Sequence, residues 1–164
     1  MRQSSRHSVS GFTLIEAMVV LVIFGLVIAA AVPNFAQSNQ RRQVEAAARD
    51  LSARIQIARQ RAIATRVPHR LLLVPDENLY RTEWMADDST WARFPDEDYP
   101  IPPAVDWWFT AGGEHSNTDI EFENRGTVQA DDAPLIVSFA NAHSDTFTLS
   151  LVRTGRVVVR AGGP

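Results

Sequence analysis

Apolar residues run without a charge from Ala17 to Val32, and counted from Phe12 the run covers 21 residues interrupted only by Thr13 and Glu16 among polar types. At ~1.5 Å per residue such a helix is about 31 Å long, close to the ~30 Å hydrocarbon core of a bilayer. After Pro33 the period stays helical while the apolar face narrows. Val44, Ala47, Ala48, Leu51, Ile55, Ala58 and Ala62 recur at steps of three and four, and Val67-Pro68 stops the pattern. The spacing predicts one helix from about Thr13 to about Arg66, far longer than the ~11–12-residue average. From Arg70 onward period two replaces it. Short strands are expected at Arg70–Val74, Leu79–Trp84, Val105–Phe109, Asp119–Glu123, Leu135–Ala140, Thr146–Val152 and Arg156–Arg160. Pro75-Asp76-Glu77-Asn78 and Thr154-Gly155 supply turns between neighbours. The predicted class is α+β: a long N-terminal helix, membrane-spanning in its first half and amphipathic in its second, packed on antiparallel β-sheets.

Pro95-Asp96-Glu97-Asp98-Tyr99-Pro100-Ile101-Pro102-Pro103 is too rich in proline for a central strand and reads as an exposed acidic loop, with Ala111-Gly112-Gly113 marking another. Subunit contact and tolerated insertion are both open for these loops. The tryptophans at 84, 91, 107 and 108 read as core or loop packing rather than a ligand platform.

Composition changes the picture chiefly through charge. The 164-residue chain has a net charge of −3, and it has no cysteine, which excludes disulfides, thiolate metal sites and a cysteine nucleophile. All sixteen basic residues are arginine, and they are unevenly placed. Residues 1–11 carry Arg2 and Arg6, whereas 12–36 carry only Glu16. Residues 37–70 carry eight arginines against Glu45 and Asp50, and 71–164 carry six arginines against sixteen acids. A basic helix therefore precedes an acidic domain. Its arginines fall mostly off the apolar stripe and form either a solvated face or a track for lipid headgroups, DNA, acidic neighbours or the acidic remainder of the chain itself.

Enzymatic chemistry finds little support. His7, His69, His115 and His143 lack zinc spacing, and Asp96-Glu97-Asp98 lacks the glycine and distal glutamate of an EF-hand. There is no Gly-x-Ser-x-Gly elbow, and His143-Ser144-Asp145 has triad letters without any reason for triad geometry. No catalytic residue, metal or cofactor is expected.

Gly11-Phe12-Thr13-Leu14-Ile15-Glu16, after a short polar leader and before an apolar helix, resembles the prepilin signature of type IV pilins and type II secretion pseudopilins. The resemblance implies that a membrane prepilin peptidase cuts between Gly11 and Phe12 and that the new Phe12 amine is methylated. Residues 1–11 would be a cleaved leader, 12–33 the membrane and filament-core helix, 34–67 its amphipathic continuation and 68–164 a globular β domain. Cutting there places a cationic amine one helical turn from Glu16. A carboxylate at the end of an apolar rod needs a partner, and an amine of its own or a neighbouring subunit neutralises it, which between subunits fixes axial register. Snorkelling of Glu16 to the interface is the simpler alternative. The family also implies that Gly25 and Pro33 flank a stretch that unwinds on filament entry, although Gly25 equally suits helix–helix packing.

Ile120-x-Phe122-x-x-x-Gly126 and Gly155-Arg156-Val157, together with Ala58-Arg59 and Ala62-Ile63, resemble the globular domain shared by type II secretion protein H and the fimbrial T-type minor pilins. A minor pseudopilin of a type II secretion system is thereby implied. It would be a non-enzymatic subunit, single-pass in the bacterial inner membrane with its C-terminal domain in the periplasm. Its partners would be the peptidase, other minor and major pseudopilins, and secreted cargo. The alternative is a type IV pilus minor pilin serving pilus assembly or DNA uptake, with Arg153, Arg156 and Arg160 as contact residues. Some DNA-binding members end in Gly-Arg-x-Arg, whereas here Val158 follows Gly155-Arg156-Val157. Ala29-Ala30-Ala31 leaves a third reading, a secreted soluble enzyme cut at Ala31, which a mature chain beginning at Phe12 would exclude.

Overall fold

The computed structural model describes residues 12–87, 90–111, 119–128 and 134–162, with the backbone alone described at 30–36 and 111. The chain divides into two compact units, Met1–Ser38 and Asn39–Pro164. One helix, α1 (Leu14–Thr65), contributes to both.

In the first unit the apolar side chains are exposed, from Phe12 (74%) through Ile28 (59%). Among the described residues no helix is long and apolar enough to cross a membrane, and the described apolar side chains stop at Ala29, short of Val32.

In the second unit the seven residues of the expected helical stripe, Val44 to Ala62, are all buried. The helix ends where the sequence requires it. Arg66 takes the left-handed conformation (φ 57°), and Pro68 follows two residues later. Eight strands then form two antiparallel four-stranded sheets. The first contains β1 (His69–Val74), β2 (Leu79–Asp87), β3 (Thr90–Pro100) and β5 (Asp119–Phe122), in the order β3-β2-β1-β5. The second contains β4 (Asp106–Ala111), β6 (Leu135–Ala140), β7 (Thr146–Leu151) and β8 (Val157–Ala161), in the order β4-β6-β7-β8. Leu71, Leu73, Ile120 and Phe122 of the first sheet join Val137, Phe139, Leu149 and Leu151 of the second and the helical stripe in one core. Alternation is plainest in β1 and β5, whose every second residue is buried in that inward face.

One expected loop is a strand. The acidic Pro95–Pro100 segment forms the second half of β3, an eleven-residue edge strand, and only Ile101–Pro103 lie outside it. The proline argument excludes a central position and still allows an edge, where a missing N–H faces away from the ladder. Asp96 takes a positive φ (61°), and the β2–β3 register shifts between Arg81 and Glu83, the irregularity of a bulged edge strand. The four tryptophans also all lie on strands. Trp84, Trp91 and Trp107 are partly buried, but Trp108 is exposed, contrary to the expectation of packing.

Candidate functional site

The N-terminal motif begins the helix. Gly11 lies outside the described residues. Phe12 is exposed, and Thr13 precedes the first helical residue, with its Oγ1 accepting the Glu16 backbone N–H at 3.3 Å and its carbonyl accepting that of Ala17 at 3.2 Å. Thr13 is therefore an N-cap and Glu16 occupies the third helical position, the spacing of a capping box. That signal was readable in Thr-x-x-Glu and escapes a reading that treats Glu16 only as a charge. A Cβ at Gly25 would meet nothing within 4 Å, so the glycine leaves an open notch, and α1 runs through it unbroken. Pro33 lies within α1, but its side chain is outside the described residues.

The basic track of the helix divides in two. Towards its C-terminal end the arginines are used within the domain. Arg61 donates two hydrogen bonds to Glu97 of β3, both 2.7 Å, and lies over the Phe94 ring at 4.8 Å. Arg54 lies 3.9 Å from the centroid of Tyr99, and Tyr80 donates to the carboxylate of Asp50. The "acidic loop" is thus an acidic strand clamped to the helix. Towards the N-terminal end Arg41 and Arg42 are exposed, and among the described residues Arg49 pairs with Glu45 of its own helix alone, at 2.5 Å.

This seam makes stability depend on acid. The Arg61 hydrogen bonds hold Glu97 below its ordinary value of 4.5. Burial holds His69 below 6.5, although its Nδ1 donates to the Val67 carbonyl at 2.8 Å and its ring stacks on Phe94. Burial first and the Asp50 carboxylate second push the Tyr80 hydroxyl far above its ordinary value. Both depressed groups bind fewer protons folded than unfolded, so their contribution is complete above pH 6.5 and is lost as pH falls. His69 acts first and Glu97 below 4.5. Replacing His69 with Gln is expected to flatten the urea-midpoint profile between pH 6.5 and 4.5 while sparing the fall below it. An unchanged slope there would remove His69 from the account.

The C-terminal motif residues converge on the helix. Arg59 Nε donates to the Gly126 carbonyl at 3.0 Å, and Gln56 Nε2 donates to the Gly155 carbonyl at 3.2 Å. Val128 N–H bonds the Arg153 carbonyl at 3.1 Å, tying the two turns together. Both glycines have positive φ (77° and 74°), and an added Cβ would stand 2.5 Å from Ile63 at one and 2.8 Å from Arg59 at the other. The pattern Arg59, Ile63, Gly126 and Gly155 is therefore a latch between helix and turns. Arg153, Arg156 and Arg160 point elsewhere; all three are exposed, and among the described residues none is ion-paired. His143-Ser144-Asp145 forms a turn in which Asn141 Oδ1 accepts the backbone N–H groups of His143 and Asp145 at 2.9 and 3.0 Å. Among the described residues no group of His, Asp and Glu could hold a metal.

The chain thus combines an exposed apolar helical segment that starts at a capped Thr-x-x-Glu with a domain of two antiparallel four-stranded sheets. Residues 6–32 match the prokaryotic N-terminal methylation motif, which the chain therefore carries. Its fold is that of the minor pseudopilins and minor pilins. It is similar to the minor pseudopilin EpsH of the Vibrio cholerae type II secretion system (TM-score 0.61, 13% identity, covering 74% of this chain and 99% of that one). It is also similar to E. coli GspH (TM-score 0.57, 12% identity, covering 74% and 90%). The Pseudomonas aeruginosa type IV minor pilin FimU shares the fold as well (TM-score 0.56, 17% identity, covering 73% and 90%). No curated protein sequence matches the chain.

Proposed function

We propose that the chain is a non-enzymatic minor pseudopilin of a type II secretion system. The conjunction that carries the reading is a methylation motif at residues 6–32 on the same chain as an EpsH-like domain. In this reading a prepilin peptidase removes residues 1–11 between Gly11 and Phe12, and the Phe12 amine is methylated. The helix from Phe12 anchors the subunit in the inner membrane, its C-terminal domain in the periplasm, until assembly beside other minor and major pseudopilins and, at the filament tip, secreted cargo. Glu16 pairs with a Phe12 amine and sets register, and Gly25 and Pro33 bound the segment that yields on entry.

Intact-mass analysis of the native protein is expected to give a chain that starts at Phe12 and carries one added methyl group. A start after Ala31 would instead identify a secreted soluble protein. Deleting the gene is expected to stop export of folded periplasmic proteins. The similarity to FimU supports a second reading, a type IV pilus minor pilin. Unimpaired export with lost twitching or transformation would establish that one, and DNA contact through Arg153, Arg156 and Arg160 belongs to it alone.

A further inference from the structure

Packing between the helix and the second sheet is incomplete at the start of the domain. A cleft of about 430 Å³ lies there, lined on the helix by Arg41, Glu45 and Arg49 and on the sheet by Phe147 of β7 and Val159 and Ala161 of β8. The helix residues follow at steps of four and form one row along its surface. Phe147 and Val159 belong to the core-facing set, and Ala161 is the register partner of Phe147. Phe147 is buried, Val159 half-buried and Ala161 exposed, so the core opens to solvent at this point. One wall carries charge and the other is apolar.

The charges of the cleft do not balance. Glu45 pairs with Arg49, but the Arg49 side chain is 73% exposed, and a pair so open to water contributes little. Arg41 and its neighbour Arg42 have no ion-pair partner among the described residues. A guanidinium offers a planar fork that matches phosphate oxygens, and the apolar wall opposite offers a place for carbon. Arg41 stands nine positions after Val32, the last residue of the apolar run, on the same helix. Helical side chains lean towards the N-terminus, which here is the end that carries that run.

We infer that this cleft takes the headgroup of an anionic phospholipid, its phosphate against Arg41 and Arg49 and its glycerol carbons against Phe147 and Val159. The inference rests on the reading above that the helix from Phe12 lies in a membrane. Basic residues that follow a membrane segment draw anionic headgroups to them over about a Debye length. DNA is the weaker occupant. It spans many phosphates, and residues 71–164 carry sixteen acids against six arginines, so the field around the cleft repels a long polyanion while a single headgroup meets only the arginine row.

The full chain, purified in mild detergent, is reconstituted with phosphatidylcholine vesicles and floated, and it is expected to rise with them through its apolar helix. The same preparation, in micelles holding equal amounts of phosphatidylglycerol and phosphatidylcholine, is then read by native mass spectrometry. Phosphatidylglycerol adducts are expected to exceed phosphatidylcholine adducts about tenfold. Arg41→Gln with Arg49→Gln should bring the two to parity. Arg153→Gln with Arg156→Gln, an equal loss of charge elsewhere, should leave the preference unchanged. Glu45→Gln should raise it, because Arg49 is then free for phosphate. Equal retention of the two lipids, or a preference that survives loss of Arg41 and Arg49, would overturn the inference. Displacement of phosphatidylglycerol by millimolar inorganic phosphate would refute it in favour of a free anion. A chain that floats without the preference sinks the headgroup site alone, and one that fails to float sinks the membrane reading as well.

Discussion

Substitution of Gly155 by Ala is expected to destabilise the domain by about 3 kcal/mol, and substitution of Gly126 by Ala by clearly less. The left-handed conformation adds roughly 1–2 kcal/mol for a residue with a Cβ, at either position. The surroundings separate the two. At Gly126 the new methyl would stand 2.5 and 2.8 Å from the Cδ1 and Cγ1 atoms of Ile63, a half-exposed side chain that can swing into solvent. At Gly155 it would stand 2.9 Å from the backbone carbonyl of Gly126 and 2.8 Å from Arg59 Nε, the donor that satisfies that carbonyl. Backbone cannot swing aside. Displacing Arg59 adds roughly 0.5–1.5 kcal/mol for its hydrogen bond and overpacking roughly 1 kcal/mol more. Urea titration of the full chain in mild detergent, followed by tryptophan fluorescence, measures both. Adding Ile63→Ala should recover only the steric part of the Gly126→Ala loss, leaving the cost of the left-handed backbone, and none of the Gly155→Ala loss. Equal losses, or rescue of both, would mean the latch is not built from these contacts.

Replacing Glu16 by Gln is expected to leave membrane insertion intact while filament incorporation falls to about a tenth or less, the scale of losing a charge-assisted pair. The structure sharpens this test. The helix start depends on Thr13 Oγ1 accepting the backbone N–H of residue 16, which every replacement retains. Glutamine also suits the third position of a capping box, so Gln removes charge and little else. Ala should behave like Gln. If Gln assembled normally and Ala did not, helix capping rather than pairing with the Phe12 amine would be the role of this residue.

Much of the fold is legible along the chain because its causes are local. The buried stripe Val44 to Ala62 is the 3.6-residue period itself, and the strand Leu135–Ala140 announces its inward face by alternation. The methylation motif is a contiguous string, and a string survives without coordinates. The acidic segment after Pro95 is not legible as a strand, because proline reports only that one N–H is missing. Whether that absence matters depends on which side of a strand has a neighbour, and among the described residues β3 pairs with β2 alone. The uses of the arginines were hidden for a similar reason. Arg59 and Gly126 are 67 residues apart, and Arg61 and Glu97 are 36 apart.

By itself the sequence determined the order of the protein: a short basic leader, an apolar rod, a basic amphipathic continuation and an acidic antiparallel domain. Each follows from composition or period over neighbouring residues, whose energetics are set by solvent and local backbone. Only the tertiary structure decided which charges are spent inside the domain and which remain. Coulomb and hydrogen-bond energies fall off over a few ångströms, and residues tens of positions apart come that close only when a particular sheet order brings them together.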